Sequence, residues 1–264
     1  DSTGVGIQTA ALGFSGYIPG TGASQETTSY NGTAWTELND MNTARYGCGA
    51  AGPTSAAALC IGAISPTPVM AYVEEWDGTN WTEIADINTA RGRLGGAGTV
   101  TAALATGGFI PPAASALNES WNGTSWTEVS DLNTARYNLA ETGTQTAAIV
   151  FGGDSPAKNE TEIWDGTSWT EVANLNTARG GLGGVGTTTG ALGFGGYSTL
   201  TVTESYNGTS WTELADLATG RFSACAAGSG PTSALFGGGG PVSPSRSATE
   251  EFTVPDATKT FTAS

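Results

Sequence analysis

The chain has 264 residues, 40 of them glycine, and its nine lysines and arginines stand against 24 acids for a formal charge of −15, with no histidine. Glycine at roughly twice its usual share of about 7%, beside an ordinary apolar content, allows a globular core built from small side chains. So few cations cannot supply the field of a nucleic-acid binder, the excess acid disfavours an anionic membrane surface, and no apolar run is long enough to span a bilayer, so neither nucleic acid nor direct membrane insertion is expected.

Residues 4–14 (GVGIQTAALGF) align without a gap on residues 184–194 (GVGTTTGALGF), which announces an internal repeat. From Tyr30 onward the repeat is plain. An aromatic followed by Asn/Asp-Gly-Thr-x-Trp-Thr-Glu starts at Tyr30, Trp76, Trp121, Trp164 and Tyr206, with a degraded copy at Phe252, at intervals of 42 to 46 residues. Each intact copy runs on into Asn-Thr-Ala-Arg, or Ala-Thr-Gly-Arg at the last, ending at Arg45, Arg91, Arg136, Arg179 and Arg221. Six units of about 44 residues follow, near 1–44, 45–90, 91–135, 136–178, 179–220 and 221–264, forming one domain.

Within a unit four short strands are expected. Strand a follows the arginine, as at 91–98; strand b is the apolar run, as at 147–151. Strand c leads to the aromatic, as at 161–164, and strand d carries the tryptophan, as at 168–172, with the last strand d at 259–263. The Asn-Gly and Asp-Gly pairs between c and d predict two-residue type I′ hairpin turns. No segment sustains a helical period of apolar residues. Four-stranded units at this spacing specify an all-β, six-bladed β-propeller with four antiparallel strands per blade. Both chain ends fall in similar phase, so the ring is expected to close by packing of the first blade on the last, with no blade shared between the termini.

The units resemble the Kelch repeat family. The resemblance rests on the Gly-Gly after strand b (Gly107-Gly108, Gly152-Gly153, Gly195-Gly196, Gly237-Gly238) and the strand-c acid (Glu74, Glu119, Glu162, Glu204, Glu250). The strand-d tryptophan and the arginine opening each unit complete it. Units 1 and 2 depart from the Gly-Gly, with Gly62-Ala63 in the second. The wording W-N-G-T-S-W-T-E-V with L-N-T-A-R is similar to Kelch-like proteins predicted in marine phage genomes. That likeness implies a virion or extracellular setting. The Trp-Asp pairs at Trp76-Asp77 and Trp164-Asp165 do not make WD40 repeats, because the aspartate opens a glycine turn and the partner Gly-His has no histidine to use.

Two readings compete for the repeat arginines Arg45, Arg91, Arg136, Arg179 and Arg221. A ring of guanidiniums at one channel mouth would bind a carboxylate, phosphate or sulfate. Alternatively each pairs with an acid, and Asp40, Asp86, Asp131 and Asp216 lie five residues upstream. The tryptophans Trp35, Trp81, Trp126, Trp169 and Trp211 are expected to pack between blades rather than to stack on sugars. The glutamates two residues later are spread by the repeat and not gathered as a glycosidase requires. Cys48, Cys60 and Cys225 read as buried thiols. With no histidine, a copper-radical oxidase of the Kelch class is excluded, and no metal or cofactor is expected.

The c–d turn barely varies between units, whereas the b–c connection differs every time: 17–25, 64–71, 109–117, 154–159, 197–201 and 239–247. The b–c and d–a connections emerge on one face of such a ring. Candidate ligand-contacting residues there are Tyr17, Ile18, Pro66, Met70, Phe109, Ile110, Pro111, Lys158, Tyr197, Leu200 and Arg246, near the five repeat arginines. Aromatic and apolar groups on loops held by a rigid scaffold suit recognition. The expected function is therefore a non-enzymatic module that binds a protein or cell-surface glycan, with an oligomer possible. A structural spacer is the alternative, and a propeller hydrolase or lyase comes third.

Overall fold

A computed structural model describes residues 2–64, 69–154, 156–240 and 249–253. These form six sheets arranged as the blades of a propeller, without helices among the described residues. Blade 1 comprises β1 (Thr3–Ile7), β2 (Ala10–Ile18), β3 (Gly22–Tyr30) and β4 (Trp35–Glu37). Blade 2 follows with β5 (Gly49–Thr54), β6 (Ala57–Ile64), β7 (Val69–Trp76) and β8 (Trp81–Ile84). Blade 3 holds β9 (Gly95–Thr99) and β10 (Ala102–Thr106), a separate two-stranded ribbon β11 (Phe109–Ile110) and β12 (Ala113–Ala114), then β13 (Asn118–Trp121) and β14 (Trp126–Val129). Blade 4 is β15 (Ala140–Thr144), β16 (Ala147–Phe151), β17 (Thr161–Trp164) and β18 (Trp169–Val172). Blade 5 is β19 (Gly183–Thr187), β20 (Gly190–Phe194), β21 (Thr203–Tyr206) and β22 (Trp211–Glu213). Three strands of blade 6 are described, β23 (Cys225–Gly230), β24 (Ser233–Gly237) and β25 (Thr249–Thr253). The strand expected at 259–263 lies outside the described residues.

Every blade is an antiparallel meander with the order of the chain, as in β15-β16-β17-β18. The innermost strands β1, β5, β9, β15, β19 and β23 each contact the next, and β23 returns to β1, so the ring closes. At the closing seam Trp35 Nε1 donates to Thr249 Oγ1 (3.0 Å) and Tyr30 donates its hydroxyl proton to Glu251 (2.9 Å). Gln8 Nε2 also reaches Glu251 and Thr253. These contacts pack blade 1 directly on blade 6.

Small residues on the inner strands let the blades approach. A Cβ on Gly96 would stand 2.5 Å from the carbonyl oxygen of Ala50 in the preceding blade. Further out, the strand-d tryptophans fill the wedge between blades. Trp81 lies edge-on to Phe14 (4.9 Å between centroids), and Trp211 meets Phe151 at 4.8 Å. Trp81, Trp126, Trp169 and Trp211 are buried, and Trp35 is half-buried. Burying an indole contributes on the order of 5 kcal/mol before entropy is counted. The packing reading of the tryptophans therefore holds.

The c–d turn differs from the expected two-residue hairpin. Trp76 pairs with Trp81 across it, leaving the four-residue loop 77–80, and only its glycine has positive φ. The Asp77 carboxylate accepts from the N–H groups of Thr79 and Asn80, both at 2.8 Å. An Asx turn thus replaces the second left-handed residue. Asn31, Asn122, Asp165 and Asn207 repeat the arrangement.

After strand b the first residue of the Gly-Gly position is left-handed: Gly62, Gly107, Gly152 and Gly195 have φ of +56° to +68°, and Ser15 takes +58° in blade 1. A Cβ on Gly152 would also stand 2.5 Å from the Arg179 carbonyl oxygen. The second residue donates its N–H to the next blade's arginine carbonyl at all five seams from Gly16–Arg45 to Gly196–Arg221, at 2.8–3.2 Å. Ala63 does this as well as glycine, which is why unit 2 tolerates the departure.

Candidate functional site

The register of each blade places the start of strand a, the end of b, the start of c and the end of d together, so the b–c and d–a connections share one face, here called upper. Isolated bridges join the two within a blade, Tyr46 to Ile64, Gly92 to Phe109, Tyr137 to Asp154 and Phe222 to Gly240.

The repeat arginines do not form an exposed ring on this face. Arg45, Arg91, Arg136, Arg179 and Arg221 are at most 2% exposed. Each is ion-paired to the strand-c glutamate of its own blade: Arg45 to Glu74 at 3.1 Å, Arg136 to Glu162 at 2.5 Å, Arg221 to Glu250 at 2.6 Å, with Arg91–Glu119 and Arg179–Glu204 closer still. The pairing reading was right in kind and wrong in partner. Of the upstream acids, Asp40 accepts from Gln25, Asp131 from the Asn118 N–H and Asp216 from Thr201, so these brace the b–c connection instead. The Asn-Thr of the motif completes the knot. Asn133 N–H and Nδ2 both donate to Glu162 at 2.8 Å, and Thr134 N–H adds a third bond. A buried carboxylate with one guanidinium and three N–H donors is fully satisfied, as a buried charge must be.

Cys48, Cys60 and Cys225 are buried. Burial alone pushes Cys225 up to about 12. At Cys48 burial opposes ionisation, but hydrogen bonding from Cys60 and the Arg45 guanidinium outweigh it and bring that thiol down to about 6. The strand-d glutamates Glu37, Glu83, Glu128, Glu171 and Glu213 are exposed, one per blade. Among the described residues no group of three His, Cys, Asp or Glu side chains converges on a metal position, and no helix is long and apolar enough to cross a membrane.

Of the b–c candidates, Tyr17 is 47% exposed and Pro111 is exposed. Ile18, Met70, Phe109, Ile110, Lys158, Tyr197 and Leu200 are half-buried. Pro66 and Arg246 lie outside the described residues. The segments expected as loops in the first three units are largely sheet. β2 and β3 pair as far as Ile18–Gly22, β6 and β7 as far as Ile64–Val69, and β11 with β12 forms a ribbon of its own. Strand extension is the physical reason: alternating residues continue the ladder beyond the bulges at Phe14/Gly16 and Ile61/Ala63.

Three of these connections carry an aromatic that meets the residue following the next blade's arginine. The pairs are Tyr17–Tyr46 (5.2 Å between centroids), Phe109–Tyr137 (5.2 Å) and Tyr197–Phe222 (4.8 Å). They occupy alternate seams, between blades 1 and 2, 3 and 4, and 5 and 6. At the intervening seams glycine stands after the arginine, Gly92 and Gly180.

Inside these pairs lies the axial cavity. Its upper part is about 160 Å³ and its lower part about 250 Å³. The two meet at a waist formed by Gly4, Ala50, Gly96, Glu141, Gly184 and Ala226, one residue from each blade. The upper mouth is bounded by Gly47, Arg93, Asn138, Gly181 and Ser223, all left-handed with φ of +49° to +67°. Backbone bonds link them in series: Arg93 N–H to Gly47, Asn138 to Arg93, Gly181 to Asn138, Ser223 to Gly181 and Ser2 to Ser223, at 2.5–3.0 Å.

Two side chains break this ring of small residues, and repeat-based reading passed over both. Arg93 occupies a slot that is glycine, asparagine or serine elsewhere, and its guanidinium sits 5.9 Å from the Tyr137 ring centroid. Glu141 holds a waist position that is glycine or alanine in every other blade. Its Oε1 lies 3.0 Å from Thr106 Oγ1, while Oε2 is shielded from solvent without a partner. Burial pushes this carboxyl up to about 8. Proton counting agrees. Thr106 Oγ1 lies 3.0 Å from both Asn118 Oδ1 and Glu141 Oε1, and its single proton serves both only when Glu141 supplies one of its own. The signal for both residues was available: each is the odd member of an otherwise uniform column.

Compared with known proteins, the chain matches no protein-family model and no curated protein.

Proposed function

We propose that the chain is a non-enzymatic recognition module that binds a protein or glycan through its upper face. The observation that carries this reading is the set of three aromatic pairs, presented at alternate seams around the cavity mouth on connections that vary while the rest of the blade repeats. Aromatic rings offer large contact area at small entropic cost, and a ring of blades holds them at fixed spacing. Each repeat arginine neutralises a glutamate and the outer glutamates are dispersed one per blade, which favours binding over catalysis by the repeated charges. The Gly-Gly, strand-c glutamate and blade-opening arginine favour a Kelch-like assignment, and the likeness to phage Kelch-like sequences favours a virion appendage that touches a host envelope.

The test is retention on whole cells and a glycan array by the labelled protein beside a variant carrying Tyr17→Ser, Phe109→Ser and Tyr197→Ser. We expect retention to be lost in the variant while its melting temperature stays within a few degrees. Retention unchanged by the triple substitution would sink the reading. Absence of binding by either folded protein would transfer the assignment to a structural spacer.

A further inference from the structure

We propose that Arg93 is the centre of a carboxylate-binding site at the upper mouth of the axial cavity, shaped for a terminal uronic-acid-type sugar. This deepens the recognition reading and rests on it.

Charge singles Arg93 out. Among the described cations only Arg93 and Lys158 have no carboxylate within 4.0 Å; the five repeat arginines are all paired. The backbone singles it out again, for Arg93 holds φ of +56°, a region costly for a side chain with a Cβ, in a slot that two blades give to glycine. Gly47 makes room for it: a Cβ there would meet the Arg93 stem at 3.1 Å. The side chain is thereby laid across the mouth towards Tyr137, and it lines the 160 Å³ cavity. Its Nε is shielded from solvent and donates to nothing. Arg179 Nε shares that state although Arg179 is ion-paired, so it is the two Nη groups of Arg93, unbonded among the described residues, that are left to meet an anion at the mouth.

The surroundings narrow the class of anion. A planar fork with one free edge matches a carboxylate through two parallel N–H···O bonds. One unpaired cation neutralises a monoanion, and a dianionic phosphate is disfavoured in a chain of charge −15 whose Asp154 stands close by, accepting from Asn138 Nδ2 at 3.0 Å. Tyr137 and Tyr197 stand at the rim and not in the cavity lining: Tyr137 carries the Arg93 guanidinium over its ring, and Tyr197 lies over Gly181 and receives the Ser223 hydroxyl bond at 3.3 Å. Aromatic faces beside a guanidinium suit a sugar whose C–H face stacks while its carboxylate pairs. The 160 Å³ of this part of the cavity is a space for a single small ligand and not for a folded peptide.

The experiment measures binding of methyl glucuronide and of its methyl ester, by ligand-observed NMR, to the full chain and to Arg93→Asn. Asparagine is the natural occupant of this slot in blade 4, where Asn138 adopts φ of +52°, so the variant keeps the fold. The expected result is binding of the acid, at least tenfold weaker binding of the ester, and loss of that preference in Arg93→Asn. Equal binding of acid and ester, or an acid affinity unchanged in Arg93→Asn, overturns the proposal. An Asp/Glu-rich peptide that binds through Arg93 while the glucuronide does not overturns it in favour of a peptide ligand. If neutral glycans or cells are still retained through the aromatic pairs and Arg93→Asn has no effect, the recognition reading stands and this inference falls. If nothing is retained at all, both fall.

Discussion

At two positions around the axis, Arg93 just before β9 and Glu141 within β15, a charged side chain interrupts a column of small residues, and a missing Cβ on the adjoining blade admits each one. Arg93 lies over Gly47, and Glu141 lies over Gly95, where a Cβ would stand 2.8 Å from the Glu141 Cβ. Glu141 makes a prediction of definite sign. Its carboxyl is held up to about 8 by burial, above the ordinary carboxylate range it has in the unfolded chain. The folded chain therefore keeps a proton that the unfolded chain releases, so this group's contribution is full at acid pH and declines as pH climbs through about 8. In urea melts, Glu141→Gln should gain on the parent progressively between about pH 5 and pH 8 and hold its gain above that. A stability difference that does not change with pH would contradict a protonated Glu141.

At the scale of elements, the segment joining strand d to the next strand a is stitched to strand c of the blade it enters. Arg136 shows the arrangement: besides Glu162 it donates to the carbonyls of Thr134, Gly152 and Glu160. Its substitution by methionine would leave Glu162 buried without its counter-charge, a change that typically costs about 3–5 kcal/mol. Adding Glu162→Gln removes the stranded charge, so the double variant should lose less than the two single losses together. Denaturant midpoints of the four proteins in this cycle measure it, and strict additivity would refute the coupling. Strands b and c of blade 4 were legible to the residue in the sequence, because an apolar run and an aromatic mark their ends. Strand a was read four residues early, at Arg91 instead of Gly95, because the left-handed step at Arg93 keeps the segment out of the ladder. The Arg–Glu pairing escaped although both columns had been recognised, since 25 to 29 residues separate partners that only the meander brings together. Arg93 and Glu141 escaped for the opposite reason: a repeat draws the eye to what is shared, and these are exceptions to it.

At the scale of the whole molecule, the seam between blades 6 and 1 lacks a repeat arginine but shares with the others the inner-strand contact and the tryptophan wedge, with Trp35 beside Gly237. A ring in which every blade has two neighbours should unfold as one unit, unlike an open solenoid whose end repeats fray. Trp35→Ala is expected to cost about 2–3 kcal/mol, less than a fully buried tryptophan because Trp35 is half-buried. Circular dichroism and tryptophan fluorescence should still report one coincident transition at a lower midpoint. Two separated transitions would show that the seam opens on its own.

That seam also sets the order in which the molecule can assemble. Within each blade the strands are consecutive meander neighbours, and their contacts close short loops. At the seam, Gln8 and Tyr30 find Glu251, and Trp35 finds Thr249, across more than 200 residues. Closing a loop about five times longer than a blade costs only about 1.4 kcal/mol more in chain entropy, since the cost grows with the logarithm of length. The ring is therefore cheap to close at equilibrium and late to close in time. A ribosome-bound chain would hold five blades in place with the face of the first that carries Trp35 still bare until the sixth blade follows them.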